Sequence, residues 1–159
     1  MIQLYVKGIA YDINDNPIII LTDDEEERVL PIWIGSVEAH AISMAIEGVS
    51  VNRPMTFDLI HWILSQLNVI VEKIVINDLK NNTFYAEIHM ITPQGNIVAD
   101  SRPSDAIALA IKTTAPVYLN EKLRDNMFMI RDLLDDEVQE ELEKLFNSEF
   151  FKDIKRSLH

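Results

Sequence analysis

The chain has 159 residues, no cysteine and a formal net charge of −12, with 48% hydrophobic and 25% charged residues. No disulfide or thiolate chemistry is available to it, and no apolar run reaches the 18 residues that a membrane span needs. The acidic balance also argues against tight nucleic-acid binding through many Lys and Arg contacts. Activity on a polyanion would call for a divalent cation or a local Arg cluster. The chain begins with a strand-like pattern and no basic leader, so a cytoplasmic location is expected. The charge excess is spread along the chain: residues 1–131 carry 17 acids against 10 bases, and residues 132–159 carry 9 against 4. One folded domain over 1–131 and an acidic amphipathic helical tail over 132–159 are the expected organisation.

The first elements alternate as strands do. Ile2, Leu4 and Val6 set a period of two from Ile2 to Asp12, and Asn14-Asp15-Asn16-Pro17 marks a turn. The apolar run Ile18-Ile19-Ile20-Leu21 reads as a buried strand. Thr22 to Glu27 reads as a solvated acidic hairpin end, and Arg28 to Ile34 as a third strand in which Pro31 signals an edge or a bulge. The period then changes. Ser36 is positioned to cap a helix that runs to Glu47 and closes at Gly48. Its small residues on several faces imply close packing, and His40 is expected to be a satisfied core histidine. A second helix, capped by Thr56 and running to Asn68, has a polar stripe of Asp58, His61, Ser65 and Asn68. Leu59, Ile60, Ile63, Leu64 and Leu67 form a core-like remainder.

Strand periodicity returns over Val69 to Asp78 and again over Thr83 to Ile91, where Phe84, Ala86, Ile88 and Met90 share one face. A turn at Pro93-Gln94-Gly95-Asn96 leads into a third strand. The segment Asp100 to Lys112, read as DSRPSDAIALAIK, opens with charged groups and continues as a helix apolar on almost every side, so that helix must be buried. Ala115 to Leu119 is a last short strand, and 120–131 lacks a clear pattern. Three strands and a helix thus occur twice, over 2–48 and 69–113, and Glu38-Ala39-His40-Ala41 aligns with Asp105-Ala106-Ile107-Ala108. The expected fold class is α+β, with duplicated β3-α repeats, sheets sandwiching the central helices, and a C-terminal helical tail. The tail carries Val138, Leu142, Leu145 and Phe146, then Phe150, Phe151, Ile154 and Leu158. It is expected to dock on its own domain or on a partner subunit. Membrane binding is disfavoured because its polar face is acidic.

No phosphate-binding loop, dinucleotide fingerprint or HExxH sequence is present, and four histidines without cysteine make structural zinc an unfavourable reading. Two similar stretches remain, Arg53-Pro54-Met55-Thr56-Phe57-Asp58 and Arg102-Pro103-Ser104-Asp105. Each sets Arg-Pro ahead of a hydroxyl residue and an aspartate at a helix start. On one reading they are structural: proline suits a first turn, aspartate suits the helix dipole, and an Arg–Asp pair locks the start in place. On the other, Glu38, Asp58 and Asp105 offer oxygen ligands to Mg²⁺ or Mn²⁺. Asp58, Asp100 and Asp105 then serve hydrolysis of a phosphodiester, and Arg53 and Arg102 hold its phosphate. His61, three residues after Asp58, is the candidate proton carrier.

Several motifs in order resemble the bifunctional nuclease domain family: Leu30-Pro31-Ile32-Trp33-Ile34-Gly35, Glu38-Ala39, Arg53-Pro54 with Thr56 and Asp58-Leu59, Asn77-Asp78-Leu79, Phe84-Tyr85-Ala86, and Asp100 through Ala110. The resemblance covers residues 2 to 120. It implies a duplicated three-strand-plus-helix fold, a homo-oligomer of at least two copies, and combined DNase and RNase activity with little sequence preference. It transfers the pattern Glu38, Arg53, Asp58, Asp100, Arg102 and Asp105 without assigning roles. Phe57 departs from the histidine common at that position. Two readings therefore stand: a metal-assisted nuclease that binds nucleic acid weakly and without sequence preference, and a non-catalytic assembly module in which the same Arg and Asp residues lock helix starts. A pocket for a small acidic or phosphorylated metabolite is a third.

Overall fold

A computed structural model describes residues 1–133 together with 135, 140 and 152. The helices expected after Asp135 lie outside the described residues. The first half runs β1 (Ile2–Tyr11), β2 (Pro17–Thr22), β3 (Arg28–Trp33) and helix α1 (Ser36–Glu47), and α2 (Thr56–Gln66) follows. The second half runs β4 (Ile70–Lys80), β5 (Thr83–Thr92), β6 (Gly95–Ser101) and α3 (Pro103–Thr113). After it come β7 (Val117–Leu119), a 3₁₀ segment (Glu121–Asn126), β8 (Phe128–Met129) and α4 (Ile130–Leu133). The order strand-strand-strand-helix therefore occurs twice, and each strand trio is an antiparallel meander.

The two meanders do not form two separate sheets, as the sequence reading expects. They join into one eight-stranded mixed sheet in the order β6-β5-β4-β7-β1-β2-β3-β8. The join is three residues long. β7 pairs in parallel with β4, Ile74 opposite Val117, and antiparallel with β1, Leu4 opposite Val117. A strand that pairs on both sides removes the inner edge of each meander, and unpaired backbone groups at a buried edge are costly.

Helix α3 is the centre of the packing. Ala106, Ile107, Ala108, Leu109 and Ala110 are consecutive and all buried, which an α-helix permits only when neighbours surround it. Three alanines in that run let α1, α2 and the sheet approach closely. The main core adds Ile19, Leu21, Leu30 and Ile32 from the first meander and Ile74, Ile76 and Ala86 from the second. Phe84, Ile88 and Met90 pack against it, as the alternation in β5 predicts. The other side of β1–β3 has its own apolar cluster, in which Ala10, Ile18, Ile20 and Val29 meet Ile130 and Leu133. That is why every residue of β2 is buried.

Helix α2 differs from its sequence reading. None of its residues is buried. Phe57, Ile60 and Leu64 lean on the core, while Leu59, Trp62, Ile63 and Leu67 are exposed, Trp62 and Leu67 at 60% each. Among the described residues no helix is long and apolar enough to cross a membrane.

Candidate active site

The starts of α1 and α3 meet at one place. Arg102 is the N-cap residue of α3, with extended backbone, and Pro103 occupies the first helical position, where a missing N–H has no cost. The guanidinium folds forward onto the first turn and forms a two-pronged pair with Asp105: Nε donates to Oδ2 at 2.7 Å and Nη2 donates to Oδ1 at 2.9 Å. Its third nitrogen, Nη1, donates to Oε1 of Glu38 in the first turn of α1, at 2.7 Å. One arginine thus ties the starts of α1 and α3, the two counterpart helices. Asp105, first, and Glu38, second, raise the pKa of Arg102 above its usual value. Glu38 is held below the usual carboxylate range by its own backbone N–H and then by Arg102.

Gly35 belongs to this arrangement. A Cβ at position 35 would collide with the Glu38 carboxylate, so the glycine leaves the space into which that side chain folds back. The backbone at Gly35 is ordinary extended backbone. The requirement is therefore for room and not for an unusual conformation.

The triad is open to water. The Arg102 side chain is 63% exposed, although the helix behind it is buried. Exposed ion pairs typically contribute about 0–1 kcal/mol each, so the three charges add little to the stability of the fold. A purely structural lock would be better sheltered. The triad lies where two cavities meet, and Glu38 and Arg102 line both. The smaller cavity, of about 290 Å³, is charged: Asp58, Lys112, Asp105 and His40 also line it. The larger, of about 700 Å³, has neutral walls apart from Glu38 and Arg102.

A model of the bifunctional nuclease domain matches residues 19–130. The chain belongs to the bifunctional nuclease domain family. An uncharacterized protein of Mycobacterium tuberculosis is 35% identical over 149 residues, which cover 89% of each chain. Bifunctional nuclease 2 of Oryza sativa subsp. japonica is 26% identical over 110 residues, 67% of this chain and 34% of that protein. Bifunctional nuclease 2 of Arabidopsis thaliana is 22% identical over 109 residues, 67% of this chain and 33% of that protein. This chain thus spans about a third of the plant proteins it matches.

Within this family fold the residues singled out from sequence separate into groups. Glu38 and Asp105 are each bonded to Arg102. Asp58 shares their smaller cavity but has different partners: Lys112 Nζ of α3 at 2.6 Å and the Met55 backbone N–H at 3.0 Å. Lys112 and then that N–H hold the Asp58 carboxyl below its usual range. His61 is exposed one turn further along α2 and lines a different hollow with Leu64, Ser65 and Thr113. Asp100 is exposed on edge strand β6, opposite Glu87 of β5, and its charge acts on Lys80. Arg53 is exposed in the loop before α2. His89 is half-buried and paired with Glu87 at 3.0 Å.

Two residues of the smaller cavity carry no signal in the sequence reading of the site. His40 is exposed and lines the cavity, which corrects its reading as a core histidine. Small residues around it suggest burial on all sides, yet its own face of α1 points to the cavity. Lys112 lies nine residues beyond the Arg-Pro motif, on the far turn of α3, and spacing alone does not connect it to Asp58.

Among the described residues no three of His, Asp and Glu gather closely enough to hold a metal ion by themselves. Glu38 and Asp105 are both engaged by Arg102, on different nitrogens of its guanidinium. Mg²⁺ commonly takes one or two protein carboxylates and completes its shell with water and substrate phosphate. Two carboxylates that are already paired with a guanidinium are too few to hold a permanent structural ion by themselves.

Proposed function

We propose that the chain is a non-specific nuclease that hydrolyses phosphodiester bonds in DNA and RNA, with the substrate phosphate at Arg102. The observation that carries this reading is an exposed guanidinium held ready by two carboxylates at the junction of two open cavities. Planar, paired donors match phosphate oxygens. A phosphate that takes up Arg102 displaces one of its carboxylates. Glu38 or Asp105 is then free to accept a proton from the attacking water as the new P–O bond forms and the ester P–O bond breaks. His40, which lines the same cavity, is assigned the return of a proton to the leaving oxygen in this proposal. A divalent cation, Mg²⁺ or Mn²⁺, belongs to this proposal. It supplies positive charge near the scissile phosphate in a chain of net charge −12. Asp58 and Lys112 border the same cavity and orient the start of α2.

The proposal extends to a homo-oligomer acting in the cytoplasm. Support for assembly comes from α2, whose Leu59, Trp62, Ile63 and Leu67 face outward in one stripe continued by the exposed Ile70. Apolar patches of this kind mark contact surfaces, and a second copy of the same chain is the proposed occupant.

The test is incubation of purified protein with single- and double-stranded DNA and RNA, with and without EDTA. Cleavage abolished by EDTA and by Asp105→Asn is expected. Absence of metal-dependent cleavage, or an Asp105→Asn variant as active as wild type, overturns the reading in favour of a structural role for the triad.

A further inference from the structure

The larger cavity has a composition unlike the site beside it. Its only charged residues are Glu38 and Arg102, both at the end shared with the proposed phosphate position. Elsewhere the lining combines aromatic residues, Trp33, Phe84 and Phe128, with neutral hydrogen-bonding ones such as Asn82, Thr83 and Asn126. Trp33 is 45% exposed, yet its indole is anchored. Nε1 donates to Oδ2 of the buried Asp12 at 3.0 Å. Asp12 is itself fixed by the Asn14 and Asn16 backbone N–H groups at 2.8 and 2.9 Å and by the Asn16 side chain at 3.0 Å. The elements that carry the polar part of the lining are anchored too. Asp78 accepts from Lys80 at the β4–β5 hairpin and from Lys122 in the 3₁₀ segment, at 3.0 and 3.1 Å. Those two elements supply Asn82, Thr83 and Asn126 to the cavity.

We propose that this cavity is a nucleobase subsite, in which one unstacked base of a single-stranded substrate lies against Trp33 while the adjoining phosphate reaches Arg102. The inference deepens the nuclease reading and rests on it. Aromatic faces take up bases of any identity, because every base has a π-face. Amide and hydroxyl side chains offer both donors and acceptors to a base edge without adding charge. A base can enter only when it is out of a duplex stack, so single strands are favoured over duplexes. A volume of about 700 Å³ is within the range of small-molecule sites.

The chain has two tryptophans, Trp33 and Trp62, so a Trp62→Phe background leaves Trp33 as the sole indole reporter. Decathymidylate with phosphorothioate linkages, which resist cleavage, is titrated with Mg²⁺ present, alongside a decamer of abasic deoxyribose with the same linkages. Quenching of Trp33 by decathymidylate and binding of the abasic chain at least tenfold weaker are expected. Trp33→Ala and Phe128→Ala, followed by polarisation of a labelled decamer, should each weaken binding about tenfold, with Trp33→Phe close to wild type. Equal affinity for the two decamers, or no change in Trp33→Ala and Phe128→Ala, overturns the subsite. The two ideas fail separately. Base-dependent quenching without cleavage by wild type leaves the subsite and removes the nuclease. EDTA-sensitive cleavage with no preference for bases or single strands leaves the nuclease and removes the subsite.

Discussion

Helices α2 and α3 each have an Arg-Pro pair at or just before the start, and both place an aspartate at the third helical position, Asp58 in one and Asp105 in the other. Their surroundings are opposite. α3 is buried through its middle and charged at its open start, whereas α2 has no buried residue. The motifs differ by two residues of spacing. Arg102 is three positions before Asp105 and reaches it across one turn, which frees its remaining nitrogen for Glu38. Arg53 is five positions before Asp58, beyond that reach, and Asp58 turns to Lys112 and to the Met55 N–H instead. One stretch becomes a solvent-facing node between helices, and the other becomes a tether that holds a peripheral helix on a central one.

The largest test of this contrast is packing. Ile107→Ala removes a fully buried side chain from α3. It should cost about 2–5 kcal/mol, read as a fall in the denaturation midpoint at constant m-value. Ile63→Ala on α2 should cost under about 0.5 kcal/mol in dilute protein. Its loss should grow only at concentrations where light scattering shows assembly. A large loss at Ile63 in monomeric protein would mean that α2 is buried after all.

The two arginines give the next largest difference. Arg102→Ala is expected to lower kcat/KM for oligonucleotide cleavage by about 10²–10³-fold, the usual effect of removing a donor to a developing oxyanion. Its unfolding free energy should stay within about 1 kcal/mol of wild type, because the pairs it leaves are exposed. Arg53→Ala should change cleavage by less than about threefold, as expected of a side chain outside the assembled cluster. Equal losses at the two positions would show that the loop before α2 closes over the substrate.

Gly35→Ala sharpens the node without deleting a charge. Its backbone accepts alanine, and the group displaced is the flexible end of Glu38. The fold should be unchanged and cleavage reduced by roughly tenfold, the scale on which small misplacements of catalytic groups act. Full activity in Gly35→Ala would mean that Glu38 works from more than one position, or does not contribute.

Much of the frame is legible from local pattern. Gly48 closes α1 with φ 61°, Pro103 opens α3, and the alternation of Phe84, Ala86, Ile88 and Met90 gives the inward face of β5. Such signals lie within one element and depend on nearest neighbours along the chain. What stayed hidden depends on partners far away in sequence. Three residues of β7 decide whether there is one sheet or two, and nothing in Val117-Tyr118-Leu119 names the strands on either side. The apolar residues of α2 look like a core face because periodicity records an apolar stripe without recording what covers it. For the site, the Arg-Pro motifs are visible as text, but their wiring is not. Glu38 and Arg102 are 64 positions apart, and the Asp58–Lys112 pair exists only because α2 lies across α3. His40 escaped because helix-wide small residues suggest burial for every neighbour, including the one that faces a cavity.

The smallest expected effect concerns that tether and acid. In the folded chain the Asp58 carboxyl titrates below its ordinary value, because of Lys112 first and the Met55 N–H second. A carboxylate lowered on folding stabilises the native state above its unfolded pKa of about 3.9, and that contribution is lost as pH falls through the lower folded value. Asp58→Asn keeps the size of the side chain and removes the charge. At pH 7 the variant should be less stable than wild type by about 1 kcal/mol, the scale of a partly exposed pair together with a helix-start hydrogen bond. Below about pH 4 the two proteins should converge. Lys112→Met should show the same convergence, since it removes the other half of the pair. Arg53→Ala should run parallel to wild type at every pH, because in this helix the arginine of the motif is not the partner of its aspartate. A difference between Asp58→Asn and wild type that stays constant down to pH 2 would place the stabilisation in the shape of the side chain and not in its charge.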